Sequence, residues 1–504
     1  MQSIQQVKIF SAKQIKQWDH YTITHEPVRS IDLMERAAMA CCNWLKQQQL
    51  SDAPFKIFCG KGNNGGDGLA IARLLHESGW KISVYILDSA NKGSEDFEIN
   101  FIRLKSIFPD IHFITSSSDF PDWGKDDIII DALFGTGLNK PVEGIASSLI
   151  AYINGNSNQV ISIDLPSGLF VDSSSIKNEI IKATDTLTFQ CTKLCFLVAE
   201  NGPFIGKVTI LPIGLSEEFY EQQKNAFELV DLALIKNIYR PREAFSHKGT
   251  FGFACIIAGS KGMMGAAVLA TRACLKSGAG KVVCITPEAG YTIIQNSAPE
   301  AMVIISGNKI IKEIPSLESN DSIGIGPGIG EHRSHRKLLS ALFAENQKPM
   351  VIDADALNVI SGSDKLLRLI PPNSIITPHL KEFHRMFGES GNEFERMKMA
   401  LQKSKEHGIY IVLKGHYTLI TTPDMKGYFN STGNPGMATG GSGDVLTGII
   451  TGLLAQGYPA LEASLLGVYL HGLSGDIAAD IMSQEAMLAG DIIWYLGEAF
   501  KRLN

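Results

Sequence analysis

The sequence contains no run of roughly 18 apolar residues, so no segment of its 504 residues reads as a membrane-spanning helix. It also lacks a strong charge excess. Charged residues make up 19% and the formal net charge is −6, which argues against a nucleic-acid groove or an anionic-membrane face as partner. Small anionic ligands would have to be held by local devices. Paired, metal-type cysteine spacing is missing too. Cys41 and Cys42 are neighbours, and Cys255 and Cys284 lie inside apolar runs, as expected of reduced, buried small hydrophobes. Cys191-x-x-x-Cys195 has no second pair, and no zinc site is expected. The stretch Met1 to Lys8 shows no basic region followed by an apolar core, and a soluble cytoplasmic protein is expected.

Short apolar runs rich in β-branched residues alternate with helical patterns through both halves. They are Ile57-Phe58-Cys59, Ile82 to Leu87, Ile128 to Ile130 and Val160 to Ile163, then Ala254 to Ala258, Val282 to Thr286, Met350 to Ile352 and Ile409 to Leu413. Such runs predict α/β architecture with buried parallel strands. The length allows two or three domains. A strand-like Lys207 to Gly214 gives way to a polar helical stretch and Arg240-Pro241-Arg242-Glu243, so a boundary is predicted near residue 230, with domains over 1–225 and 235–504.

In the first half, Lys56 to Gly68 reads as a strand, a loop crowded with glycine and asparagine (Gly62-Asn63-Asn64-Gly65-Gly66-Asp67-Gly68), and a helix from Leu69 to Ser78. Its spacing departs from G-x-G-x-x-G, so hydride transfer from a nicotinamide is not the natural reading. The paired asparagines can ligate a cation or bond a sugar and its phosphates. Two further strand ends supply carboxylates: Asp131, ahead of Ala132-Leu133-Phe134-Gly135-Thr136-Gly137, and Asp164, ahead of Leu165-Pro166-Ser167-Gly168. In a parallel sheet these ends share one edge and should converge in a crevice, with helix capping by the two aspartates as the alternative. This half resembles the N-terminal domain of the bifunctional NAD(P)H-hydrate repair enzymes, the NAD(P)HX epimerase family, from the Leu33-Met34-Glu35-Arg36-Ala37 helix to about Gly214. The resemblance implies a Rossmann-like domain that binds the hydrated dinucleotide through Asn63, Asn64, Gly65, Gly66 and Asp67 and through Gly135, Thr136, Gly137, Leu138, Asn139, Lys140 and Pro141. It implies K+ held by Asn64, Asp131 and Ser167, and Asp164 against the nicotinamide ring as acid or base. Lys193 sits where the family tends to carry a lysine, but the following Leu194-Cys195-Phe196-Leu197 is less typical.

The second half repeats the layout of strand, polar loop and helix six times: His247 to Ala267, Gly324 to Gly330, Asp353 to Asn358, Thr377 to Glu382, Lys414 to Thr418, and Asn434 to Asp444. In the last, small residues Gly440-Gly441-Ser442-Gly443 allow backbone amides to approach a phosphate, the following helix aims its positive end there, and Asp444 can take a proton from a hydroxyl; a helix start with Asp444 as cap is the plain alternative. Over His247 to Gly497 the set resembles the ribokinase-like fold, most closely its ADP/ATP-dependent NAD(P)H-hydrate dehydratases. That implies Asp444 as the base on the 6-hydroxyl of the hydrated ring and transfer of the terminal phosphoryl of ADP, with Mg2+, to that oxygen. Lys414, Gly415, His416, Tyr417, Thr418 and Gly443 would bind the nucleotide; Ala267, Gly328, His379 and Asp444 would contact the hydrate. Asp353 and Asn358 lie where a magnesium–phosphate network could be supported. The whole is expected to be a bifunctional, homo-oligomeric enzyme acting on NADHX or NADPHX. A kinase for hydroxymethylpyrimidine or a similar alcohol is the near alternative, and a binding module of the kind found in RNA-decapping scaffolds is the distant one.

Overall fold

A computed structural model describes residues 7–26, 28–48, 50, 53–88, 92–156, 159–317 and 321–504. The chain forms two compact units, one of Lys8–Asn225 with Asn392–Phe394, the other of Val7, Ala226–Gly391 and Glu395–Asn504. Counting from a short β1 (Val7–Lys8), the first unit carries β2 (Phe55–Cys59), β3 (Ile82–Leu87), β4 (Ile111–Ile114), β5 (Ile128–Ala132), β6 (Gln159–Ile163), β7 (Asp185–Phe189) and β8 (Lys207–Leu211). Among the described residues they make a seven-stranded sheet in the order β4-β3-β2-β5-β6-β7-β8, with every pairing parallel. Fully buried Ile57, Ile130 and Ile161 lie side by side on one face, which is why the strands read as unbroken apolar runs. The chain leaves β2 toward β3 and returns on the other side as β5. The strand order therefore switches between β2 and β5, and a crevice opens over their carboxyl ends.

The second unit holds β9 (Phe227–Val230), β10 (Phe253–Ile257), β11 (Lys281–Thr286), β12 (Met302–Ile305), β13 (Asp321–Ile325), β14 (Met350–Ile352), β15 (Ile375–Ile376), β16 (Tyr410–Leu413), β17 (Leu419–Thr421) and β18 (Gly427–Asn430). The order is β12-β11-β10-β13-β14-β15-β16-β17-β18-β9-β1. From β12 to β16 all pairs are parallel, β17 runs antiparallel to both neighbours, and β9 pairs parallel to β18. The stretch around residue 230, read as polar and helical, thus contains a strand that belongs to this sheet. Here the switch lies between β10 and β13.

Both key helices start earlier than their composition suggests. In the first unit the helix spans Asn63–Glu77, so Asn63 to Asp67 form its opening turn and only Gly60 to Gly62 remain as loop. The glycines serve close packing. A Cβ on Gly65 would stand 1.6 Å from the Gly60 carbonyl oxygen, and one on Gly68 would stand 2.6 Å from the Ala132 methyl. In the second unit the helix spans Ser442–Ala455 behind Gly441, whose φ of +93° suits glycine. Gly448 and Gly452 press this helix onto the helix Met264–Lys276; a Cβ at Gly448 would fall 2.2 Å from the Ala270 oxygen. Gly65→Ala must push the helix off β2, at a cost of about 2 kcal/mol or more. Thermal unfolding of this variant is expected to show a lower midpoint for the first unit; an unchanged midpoint would contradict the packing role.

Candidate active sites

The first site grows from the ends of β5 and β6. Asp131 is fully buried near the carboxyl end of β5, where Ser162 Oγ donates to it at 2.8 Å, Ser167 N–H at 2.8 Å, Ser167 Oγ at 2.5 Å and Leu133 N–H at 3.2 Å. Burial nonetheless outweighs these donors and raises its carboxyl. Asp164 follows β6 with a φ of +65°, a backbone state that non-glycine residues enter at a cost, as happens where surroundings over-determine a functional side chain. Its carboxylate accepts from Thr136 N–H at 3.0 Å, from the Thr136 hydroxyl, and from Lys193 Nζ at 2.8 Å. Lys193 is 1% exposed and also donates to Thr188. Burial alone would raise the Asp164 carboxyl; the Lys193 ammonium and the Thr136 donors overcome it and hold it below the ordinary range.

Around this pair stand two carboxyls pushed the other way. Asp67 is raised well above its usual value by burial and by the Asp164 and Asp19 charges, and Asp19, on the helix Ala12–His25, is lifted to about 6 by burial and Asp164 against the pull of Lys193. Asn64 is buried with neither amide atom partnered among the described residues. A Cβ on Gly135 would touch both the Asn64 amide carbon and Asp164 Oδ2, each at 3.1 Å, so this glycine leaves the space between them open. Thus Asn64, Asp67, Gly135, Thr136 and Asp164 come together, while Asn63, Gly137, Asn139, Lys140 and Pro141 are exposed and Leu138 is partly so along the rim.

In the second unit, Asp353 ends β14 and is 1% exposed. It accepts from Lys414 Nζ at 2.9 Å and from Thr447 Oγ1 at 2.7 Å, and Glu382 Oε2 lies 4.0 Å from the same ammonium. The pair lies directly beside the glycine turn: a Cβ on Gly443 would stand 3.2 Å from Lys414 Nζ and 3.6 Å from Asp353 Oδ2. Asp444 sits in the first helical turn, where no donor caps it among the described residues. Burial and the Asp353 charge, opposed by Lys414, raise its carboxyl to about 7. That value suits a general base at neutral pH.

Other expected residues fare differently. His379 caps the helix Leu380–Phe387, its Nδ1 accepting from Glu382 N–H at 3.1 Å, with the ring half exposed. Gly328 carries a φ of +63° and its carbonyl accepts from Ser260 Oγ at 2.8 Å. Ala267 is fully buried beneath Gly259, so its methyl does not reach the site surface. Asn358 takes a bond from Arg385, and Asp353 accepts from Lys414 and Thr447. Lys414, Gly415, His416, Tyr417 and Thr418 form the turn between β16 and β17, closed by Thr418 Oγ1 donating to the Gly415 oxygen at 3.3 Å.

Residues 30–195 match the family described as YjeF-related protein N-terminus, and residues 254–497 match the one described as NAD(P)H-hydrate dehydratase. Over 514 residues the chain is 33% identical to the bifunctional NAD(P)H-hydrate repair enzyme Nnr of Moorella thermoacetica, covering 98% of this chain and 97% of that protein. The chain belongs to the bifunctional NAD(P)H-hydrate repair enzymes. The Escherichia coli member is 32% identical over 92% of this chain and 88% of its own. A solved structure, the ADP/ATP-dependent NAD(P)H-hydrate dehydratase of Bacillus subtilis co-crystallised with ATP/Mg2+, is 31% identical, covers 55% of this chain and 98% of its own, and superposes with a TM-score of 0.48.

Two residues of this repair enzyme escaped the motifs: Asp19 lies on a helix with no glycine loop to flag it, and Thr447 hides inside an apolar helix. Lys193 stood out by its position, but its partner Asp164 emerged only through folding. Lys193→Met would leave Asp164 buried without its counter-charge, which costs about 3–5 kcal/mol. Unfolding of the first unit is expected at a markedly lower midpoint, with no change in the second; equal midpoints would contradict the pairing.

Proposed function

We propose that the first unit interconverts the R and S hydrates, NADHX or NADPHX, and that the second dehydrates the S form to NADH or NADPH with ADP, releasing AMP and phosphate. The observation that carries the reading is Asp444, uncapped and lifted to about 7 at a helix start, beside Lys414 in a chain of this family. Asp444 takes the proton of the ring 6-hydroxyl as its oxygen attacks the terminal phosphorus of ADP; the new O–P bond replaces the bond to AMP. Lys414 and the Gly443 amide stabilise the charge on the transferring group. Hydroxide is a poor leaving group and phosphate a good one. Departure of phosphate from C6, with a proton from C5, restores the ring double bond. ADP is favoured over ATP because the two-domain fusion resembles the bacterial form. Magnesium would enter with the nucleotide as the counter-ion of its phosphates, with Asp353 and Asn358 placed to support that network.

In the first unit, Asp164, held as a carboxylate, faces the nicotinamide ring and stabilises the cation left when the hydroxyl departs. Asp67, kept protonated, supplies the proton for that departure, and two carboxyls pushed apart in this way divide the acid and base roles. Water returning to either face exchanges R and S. The unpartnered Asn64 amide, with Asp131 and Ser167, fits a potassium ion, which would contribute fixed positive charge near the dinucleotide phosphates. The eight cysteines are free and buried, in keeping with a reducing cytoplasm.

The test is recovery of NADH absorbance from S-NADHX with ADP, compared with ATP; no nucleotide-dependent recovery would sink the dehydratase reading. Asp444 acts as base only when ionised, so kcat/KM for dehydration is expected to rise tenfold per pH unit up to an inflection near 7 and then level off. Asp444→Asn is expected to abolish turnover while ADP binding persists. A flat profile from pH 5 to 8, or an active Asn variant, would remove Asp444 as the base.

A further inference from the structure

Behind the glycine turn runs the helix Ala460–Met482, apolar over most of its length, with a single histidine on its buried face. His471 is 8% exposed, and its Nε2 lies 2.9 Å from the Ser442 carbonyl oxygen and 3.3 Å from Ser442 Oγ. A carbonyl oxygen can only accept, so Nε2 carries the hydrogen and the tautomer is set by this bond. The ring stays neutral across the working range, because burial, with Lys414 nearby, outweighs the Ser442 carbonyl and lowers it to about 4.

The bond has a consequence for the far side of the same peptide. No cis peptide bond occurs among the described residues, so the Ser442–Gly443 unit is planar and trans, and its C=O and N–H point in opposite directions. Holding the Ser442 oxygen toward His471 therefore aims the Gly443 N–H away from it, out of the N-terminal end of the helix, at a residue whose Cα has Lys414 and Asp353 close beside it. The same helix ties the other end of the strap. Asp476 accepts from Gly433 N–H and from Asn434 Nδ2, each at 2.9 Å. Gly472 and Gly475 let the helix come this close: a Cβ would lie 2.3 Å from Thr432 Oγ1 in the first case and 2.4 Å from Met437 Sδ in the second. Between the two ties, Gly440 has open space where a side chain would be.

We infer that His471 is a positioning residue of the dehydratase, which, by donating from Nε2 to the Ser442 oxygen, aims the Gly443 amide at the phosphoryl group in transfer without touching substrate. This rests on the dehydratase reading above. The amide then matters more to the transition state than to bound ADP, so losing the aim lowers kcat and leaves KM for ADP nearly unchanged. A merely structural histidine would lose stability with no such split and no dependence on a donor.

The test uses the full chain with S-NADHX and ADP, and compares His471→Met with His471→Gln, side chains of similar length of which only Gln offers an N–H. His471→Met is expected to lose tenfold or more in kcat with KM for ADP within about threefold, and His471→Gln to recover most of that loss. R-to-S conversion, followed in the same samples, is expected to be unchanged. Full kcat in His471→Met, or equal losses in both variants, would overturn the inference while wild-type turnover leaves the dehydratase reading standing; absence of wild-type turnover would overturn both. Should neither variant fold, 15N spectra of histidine-labelled wild-type protein decide: a neutral Nε2–H ring at residue 471 from pH 5 to 8 is expected, and an imidazolium or Nδ1–H form would overturn it.

Discussion

A lysine paired with a buried aspartate at the carboxyl edge of a parallel sheet recurs in both units, and the chemistry of each site follows from it. Lys193 meets Asp164 at 2.8 Å in the first, and Lys414 meets Asp353 at 2.9 Å in the second. A charge this deep is tolerable only with its partner in place, so each pair fixes the two strand ends it joins as firmly as the apolar core does. The outcomes differ because the neighbours differ. In the first unit the lysine bonds the functional aspartate itself and holds it below the ordinary range, among carboxyls that burial raises. In the second, the lysine bonds one oxygen of Asp353 and Thr447 the other, and Asp444 beside them, raised by burial and by the Asp353 charge against the pull of Lys414, ends near 7.

The pairs act on ligands only because helix starts are brought against the sheet. Glycine serves this by close contact in both units, and in the second also by the backbone freedom of Gly441, whose φ is +93°. Gly65 lies on the Gly60 carbonyl, and Gly448 and Gly452 lie on the helix Met264–Lys276. Each helix thereby presents its first amides, and their partial positive charge, within reach of the paired side chains.

Much of this was legible in the sequence. Buried parallel strands are continuous β-branched runs, so Ile82–Leu87 and Met350–Ile352 could be read at their full extent, and the aspartates that end strands marked the reactive edge. Helix starts were not legible. Glycine and asparagine in Gly62 to Gly68 look like loop, and only the folded contact distances reveal a helix beginning at Asn63. Nor were the partners that arrive from elsewhere. Lys193 lies 29 residues from Asp164, and His471 lies 29 residues from Ser442, with no spacing rule to join them. A lone histidine in an apolar helix was the one faint sign of the second. Ala267, which the resemblance places against the hydrate, keeps its methyl buried under Gly259, a packing that its sequence neighbours did not reveal.

The central claim is that two differently tuned carboxylates in one chain complete a single repair. Purified R-NADHX, supplied with ADP to the full-length chain, is the substrate that requires both. The account predicts complete recovery of NADH absorbance at a rate well above spontaneous epimerisation. Recovery from the S epimer alone, with the R epimer left at its spontaneous rate, would contradict it.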